Sequence, residues 1–364
     1  MQPYRPPRTE AERRIAAIWA ELLGMRQVGL GEPFFSLGGH SLLAYRVLSR
    51  VREEFGYAPP LAVRYSEWTV DALARAVTEH GGTEASDGSL VVLRAAGTRP
   101  PLFLVHAGDG HVLSYEPLVR ALGDDQPVYG LKARGVEGGQ APHRRIEPMA
   151  EEYAQAVCAV QPTGPYLLCG WSTGGWIALE IARRLAARGE TVGMLALIDA
   201  RFAAETEDDD DAAFLASTLL VALYRYAPRY ACRLEARQRL ERELRVRPPA
   251  ERVRHLLEEA RRAGMVIPPG FGAGHVEALL RVRGALSQAL RSYAPEPYTG
   301  DALYFRAEEH ALPNAASAAC VRCPLGTDRV RIVTVPGSHA TIILEPSVHV
   351  VAAELSAGIR GAVG

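Results

Sequence analysis

Cysteine is scarce: five among 364 residues, at Cys158, Cys169, Cys232, Cys320 and Cys323. An odd, scattered set argues against a disulfide framework and fits a reducing cytosol. Cys320 and Cys323 form a lone Cys-x-x-Cys with no second ligand pair nearby, so no metal site is expected. An excess of one charge is also lacking. The 41 Lys and Arg against 42 Asp and Glu leave a net charge of −1, and nothing in that balance favours nucleic acid or an anionic membrane surface. No run approaches the roughly 20 apolar residues of a membrane span, and residues 1–8 carry no apolar stretch of a secretory leader. A cytoplasmic protein without membrane or nucleic-acid partners is expected.

What is present is ordinary globular composition, 48% hydrophobic and 23% charged, over a length suggesting about two domains. Thr9-x-x-Glu12 is a capping box. Behind it Ile15, Ile18, Trp19, Leu22 and Leu23 recur at helical spacing, with Gly24 where a helix stops. A second helix runs from near Ser41 through Leu43, Val47, Leu48 and Val51 to Phe55, and a third spans about Trp68 to Thr78. Residues 1–79 thus read as a small helical bundle. Residues 80–89, rich in Gly, Ser and Thr without periodicity, read as a flexible linker.

From residue 90 the pattern changes. Short apolar runs at 102–105, 128–129, 166–169, 194–198, 302–305 and 330–335 alternate with helical stretches such as 146–160 and 176–187. Such alternation predicts an α/β domain over 90–364, with a mostly parallel sheet and helices on both faces. It is interrupted at about 202–293 by helical segments at 213–226, 234–245, 251–262 and 275–292. An insertion of that length between core strands is expected to cover a site as a lid. The charge run at 205–211 reads as a solvated loop.

Two constellations carry chemistry. In Phe34-Phe-Ser-Leu-Gly-Gly-His-Ser-Leu-Leu43, a glycine pair opens access to Ser41 at a helix N-terminus, where an attached phosphodiester meets free N–H groups and the positive dipole end. In Gly170-Trp-Ser-Thr-Gly174, the G-x-S-x-G pattern lies between a strand and a helix, the context in which Ser172 becomes a nucleophile. A serine hydroxyl needs a base oriented by an acid. His339, in the loop after the last strand, is the best base; His310 and His349 are poorer placed. For the acid, Asp199 ends the strand at 194–198, while Glu308 or Glu309 follows the strand at 302–305. Chain order allows either. An oxyanion needs two donors: the Thr173 N–H, just after the nucleophile, and one from the loop His106-Ala-Gly-Asp-Gly110. Asp109 should point away from that site, and His106 reads as structural.

The string around Ser41 resembles the carrier domain of non-ribosomal peptide synthetases, with Glu32-Pro33 in place of the usual Asp-x. That resemblance implies 4′-phosphopantetheine on Ser41. Ile146 to Tyr153, Gln161 to Gly175, Leu197 to Asp199, Tyr129 to Gly135 and Pro336 to His339 are similar to the terminating thioesterases of the same synthetases. The second resemblance implies an α/β-hydrolase with Asp199 as the acid, and places the second oxyanion donor at the Gly108 N–H, although Ala107 stands where the family carries proline. Together they imply a carrier bundle followed by a serine thioesterase that takes the acyl chain from Ser41 onto Ser172 and releases it by hydrolysis or cyclisation. Implied partners are upstream condensation and adenylation domains, a phosphopantetheinyl transferase and a peptidyl substrate. The chain reads as the C-terminal piece of a longer polypeptide. The alternatives are a polyketide-type pair, a free esterase, or a silent hydrolase serving as a docking platform. The last would require a broken triad, and all three positions are filled.

Overall fold

The computed structural model describes residues 4–34, 36–39, 41–56, 68–79, 88–136, 140–200, 215, 234–262, 273–310, 325 and 329–363. The chain divides into two units, residues 1–87 with 212–274 and residues 88–211 with 275–364. Outside the described residues lie most of the expected linker, the charge run at 205–211, nearly all of the expected helix at 213–226, and Cys232, Cys320 and Cys323.

In the first unit, α1 (Glu10–Leu23), α2 (Ser41–Phe55) and α3 (Val70–Glu79) form the expected bundle. The capping box closes in both directions: the Glu12 N–H donates to Thr9 Oγ1 at 3.2 Å and the Thr9 N–H to the Glu12 carboxylate at 2.8 Å. Trp19 and Phe34 meet edge to face at 4.7 Å between centroids, and Phe34 lies 5.3 Å from Trp68. Ile15, Leu22, Leu43, Val47, Val51 and Leu73 complete this core. Trp68 precedes α3 instead of beginning it. Its ring is buried, and its carbonyl accepts the Phe34 N–H at 2.8 Å. Two later helices, α7 (Leu234–Arg245) and α8 (Pro249–Arg262), form a hairpin in which His255 Nε2 meets Glu243 Oε2 at 2.8 Å.

The second unit is built on a seven-stranded sheet in the order β1-β3-β2-β4-β5-β6-β7. Its strands are β1 (Leu90–Arg94), β2 (Leu102–Val105), β3 (Val128–Leu131), β4 (Tyr166–Trp171), β5 (Val192–Ile198), β6 (Ala302–Ala307) and β7 (Val330–Val335). All pair in parallel except β1, an antiparallel edge strand on β3. The central strands are apolar at every position because both faces are covered, while successive side chains still alternate between two cores. Phe103 and Val105 join α5 (Ile146–Val160), α6 (Thr173–Ala187) and α9 (Ala273–Arg291) on one face. Leu102 and Leu104 join α4 (Glu116–Ala121) and α10 (Val348–Val363) on the other. This is the α/β-hydrolase architecture. Among the described residues no helix is long and apolar enough to cross a membrane.

Candidate active site

The C-terminal ends of β2, β4, β5 and β7 lead into the residues singled out in the sequence. After β4 the chain turns so sharply that Ser172 takes φ 58° and ψ −126°. Only one other non-glycine among the described residues has positive φ, Asp199 at 44°. Such conformations cost about 1–3 kcal/mol each and persist where the surroundings over-determine them. The flanking glycines explain how the turn is accommodated. A Cβ on Gly174 would lie 2.5 Å from the Val105 carbonyl oxygen and closer still to that of His106. A Cβ on Gly170 would run into the Gly174 backbone, and one on Gly175 into Ala200.

The turn presents the Ser172 hydroxyl to His339, whose Nε2 lies 3.0 Å from Ser172 Oγ. Nδ1 of the same ring lies 2.7 Å from Asp199 Oδ2. A carboxylate can only accept, so Nδ1 carries the hydrogen in the neutral ring and Nε2 is left bare to accept from the serine. Asp199 is 1% exposed, and its other oxygen accepts the Ala307 N–H at 3.1 Å. Glu308 and Glu309 lie exposed in the turn after β6, and β6 reaches Asp199 through the Ala307 N–H. His349 lies exposed on α10. The side chain of His310 falls outside the described residues.

Thr173 is the first residue of α6, where helix N–H groups have no intrahelical partner. Gly108 stands beside it: a Cβ built there would lie 3.5 Å from Thr173 Oγ1. The two backbone positions expected to bind an oxyanion are thus brought together next to Ser172.

The loop between β2 and α4 is held by buried polar groups. His106 is fully buried, with Nε2 2.9 Å from the Tyr153 hydroxyl and Nδ1 2.7 Å from the Ala107 carbonyl. Burial pushes its pKa down to about 4. Burial pushes the Asp109 carboxyl up to about 6, and that carboxyl accepts the His111 N–H at 3.1 Å, folding back onto its own loop. Burial, with Lys132 nearby, pushes His111 down to about 3.

Two contacts lie outside anything the sequence pattern marks. The Trp171 indole N–H donates to the His339 carbonyl at 3.2 Å, with the two rings 5.5 Å apart. The Tyr115 hydroxyl is bonded to the ends of both β2 and β4. Trp171 is the variable position of G-x-S-x-G, and nothing in the spacing marks Tyr115.

In the bundle, α2 begins at Ser41 and has no acidic residue in its first turn. Gly39 lets the backbone pass Phe34, whose ring would stand 2.5 Å from a Cβ there. A helix start reached by such a tight turn, with no acidic residue in its first turn, fits a phosphodiester-linked group on Ser41.

Comparison with known proteins agrees with this geometry. Residues 100–354 match the thioesterase domain family, and residues 13–77 match the phosphopantetheine attachment site. Malpibaldin synthetase of Mortierella alpina is 41% identical over 197 residues, covering 54% of this chain and 4% of that protein. A dimodular nonribosomal peptide synthase of Bacillus subtilis (strain 168) is 37% identical over 228 residues, 62% of this chain and 9% of that protein. This chain therefore spans less than a tenth of the length of either. Among solved structures, holo-AB3403, a four domain nonribosomal peptide synthetase bound to AMP and glycine, superposes with a TM-score of 0.65. It shares 29% identity over 98% of this chain and 26% of that one.

Proposed function

This chain belongs to the thioesterase domain family, with a phosphopantetheine attachment site ahead of that domain, and we propose that it ends acyl-chain assembly on a nonribosomal peptide synthetase. The observation that carries the reading is His339 seated between Ser172 and Asp199, at 3.0 and 2.7 Å. Residues 1–79 act as the carrier, 80–89 as the linker and 90–364 as the thioesterase, with about 202–293 covering the acyl pocket. The position of that insertion between β5 and β6 supports the last assignment, as does the packing of α9 on the sheet.

When bound through Ser41, 4′-phosphopantetheine supplies the thiol that holds the acyl chain as a thioester. The protein's own residues then act as follows. As Ser172 Oγ attacks the thioester carbonyl carbon, its proton passes to His339 Nε2. Asp199 keeps the Nδ1 hydrogen and stabilises the imidazolium that forms. The Thr173 and Gly108 N–H groups bind the oxygen that becomes negative, each worth about 10²–10³ in rate. His339 returns the proton to the leaving group, and the acyl chain stays as an ester on Ser172. Water, or a nucleophile of the chain itself, gives its proton to the same nitrogen and releases the product.

Upstream condensation and adenylation domains deliver the chain, a phosphopantetheinyl transferase primes Ser41, and the protein works in the cytoplasm. The test of the carrier assignment is priming with coenzyme A and a broad-specificity transferase, read by peptide mass mapping. One arm on the Ser41 peptide, lost in Ser41→Ala, supports it; an arm that persists in Ser41→Ala refutes it.

A further inference from the structure

We propose that Tyr115 is a positioning residue that sets the width of the oxyanion site, its hydroxyl serving as a one-atom spacer between the ends of β2 and β4. The proposal rests on the thioesterase reading above. Tyr115 sits in the 3-10 turn Leu113–Tyr115 and is fully buried. Its hydroxyl donates to the Val105 carbonyl at 2.7 Å and accepts the Trp171 N–H at 2.6 Å. Val105 ends β2 and Trp171 ends β4, and the ladder between the two strands pairs Val105 with Gly170. The phenol oxygen therefore stands between a donor and an acceptor on neighbouring strands, at the last step before both chains leave the sheet.

Each of those chains leads directly into the site. Three residues beyond Val105 is Gly108, and two beyond Trp171 is Thr173. A spacer between the strand ends therefore sets the separation of the two proposed oxyanion donors. Its protonation state is fixed, since burial holds the phenol well above its ordinary range and keeps it a donor. On the far side of the loop, the Ala133 N–H donates to the Gly110 carbonyl at 2.9 Å, and a Cβ on Gly110 would lie 2.8 Å from Val282 on α9. The loop is thus clamped beyond Gly108 as well, and the strand spacing is transmitted to Gly108 instead of being absorbed.

The spacer acts on the oxyanion and not on the acyl chain, which gives it a kinetic signature. Tyr115→Phe keeps the ring and removes only the bridging oxygen. A displacement near 1 Å at a reacting centre costs about 10²-fold, so kcat for a peptidyl thioester should fall roughly 10- to 100-fold, with KM within about twofold. Affinity for a peptide boronic acid, which forms a tetrahedral anion on Ser172, should fall by the same factor as kcat. Affinity for an inert thioether analogue should not change.

Two further proteins keep the test decisive. Leu118→Ala removes packing from α4 while leaving the hydroxyl, and kcat should fall less than about threefold because the spacer is intact. If Tyr115→Phe does not fold, 3-fluorotyrosine at position 115 preserves the fold while weakening the acceptor, and kcat should drop about twofold or more at constant KM. Unchanged kcat and boronate affinity in the phenylalanine protein, or unchanged kcat in the fluorotyrosine protein, overturns the proposal. So does an equal loss of thioether and boronate binding, or a loss in Leu118→Ala as large as that in Tyr115→Phe. Failure of the underlying thioesterase reading shows separately: wild-type protein would then form no boronate adduct and cleave no thioester.

Discussion

Gly174→Ala adds one methyl group at a tight point of the turn that carries Ser172. The new Cβ would sit 2.5 Å from the Val105 carbonyl oxygen, against 3.4 Å for ordinary contact, so about 1 Å of separation must open. The opposing atoms are backbone at the end of β2, and no flexible side chain can yield in their place. Overpacking of this kind costs about 1–3 kcal/mol of stability. Moving α6 away from the β2 loop would spread Thr173 from Gly108 by a similar distance, and a 1 Å misplacement at the reacting atoms costs about 10²-fold. The expectation is a fall of about 10²-fold in kcat with KM little changed, measured with a soluble peptidyl thioester, and a stability loss of about 1–3 kcal/mol by urea titration. Gly361→Ala is the matched control. It lies in the last turn of α10 with nothing within 4 Å of its Cβ position, so it should gain up to about 0.5–1 kcal/mol from helix propensity with activity unaltered. Wild-type kcat in Gly174→Ala would refute the reasoning, because the turn would then tolerate a movement that the geometry says it cannot.

Asp199→Asn should lower kcat by roughly 10⁴, with Glu308→Gln within a few-fold of wild type; the reverse pattern would move the acid to the end of β6. Ser172→Ala and His339→Ala should each abolish turnover, and their combination should cost little more, as for groups acting as one unit. Stability should fall as pH drops below about 6.5, because the unfolded chain binds protons at His106 and His111 that the folded chain refuses down to about pH 4 and about pH 3. The depression from 6.5 to about 4 corresponds to about 3 kcal/mol. His106→Gln should flatten that loss in urea titrations across pH. Asp109 works in the opposite sense between 3.8 and about 6, so Asp109→Asn should steepen it. A flexible linker at residues 80–89, as proposed, would have an r.m.s. span of roughly 16–19 Å, so acyl transfer from Ser41 to Ser172 in the intact chain should proceed at a rate independent of protein concentration.

Much of this site is legible in the residue pattern because its steric demands are local. A strand, a glycine, a serine in a strained turn and two more glycines leave few alternatives, and Ser172 with Gly170, Gly174 and Gly175 shows why each is needed. The acid is less legible. Asp199 and Glu308 follow adjacent strands in the same chain order, and residue pattern alone leaves both open; the family resemblance selects Asp199. The contacts that distinguish them, from His339 Nδ1 and from the Ala307 N–H, join residues more than 100 positions apart. Tyr115 carries no sequence signal, since its role exists only where β2 and β4 part. Element boundaries differ from the pattern for tertiary reasons. Trp68 is drawn into the bundle core ahead of α3. The last helix runs on to Val363, where Ile359 packs on the sheet and Gly358 lets the helix approach Met194. β1 carries an apolar run from Leu90 to Leu93, yet it is a half-buried strand at the sheet edge.

The central claim is that Ser172 receives the acyl chain from the arm on Ser41. It is tested most directly by loading Ser41 with a peptidyl-pantetheine from the corresponding coenzyme A thioester, quenching in acid over time, and locating the acyl mass by peptide mapping. The acyl mass should leave the Ser41 peptide, appear on the Ser172 peptide and then disappear as product. In Ser172→Ala it should remain on Ser41. Release of product from Ser172→Ala at the wild-type rate would show that Ser172 does not carry the acyl chain.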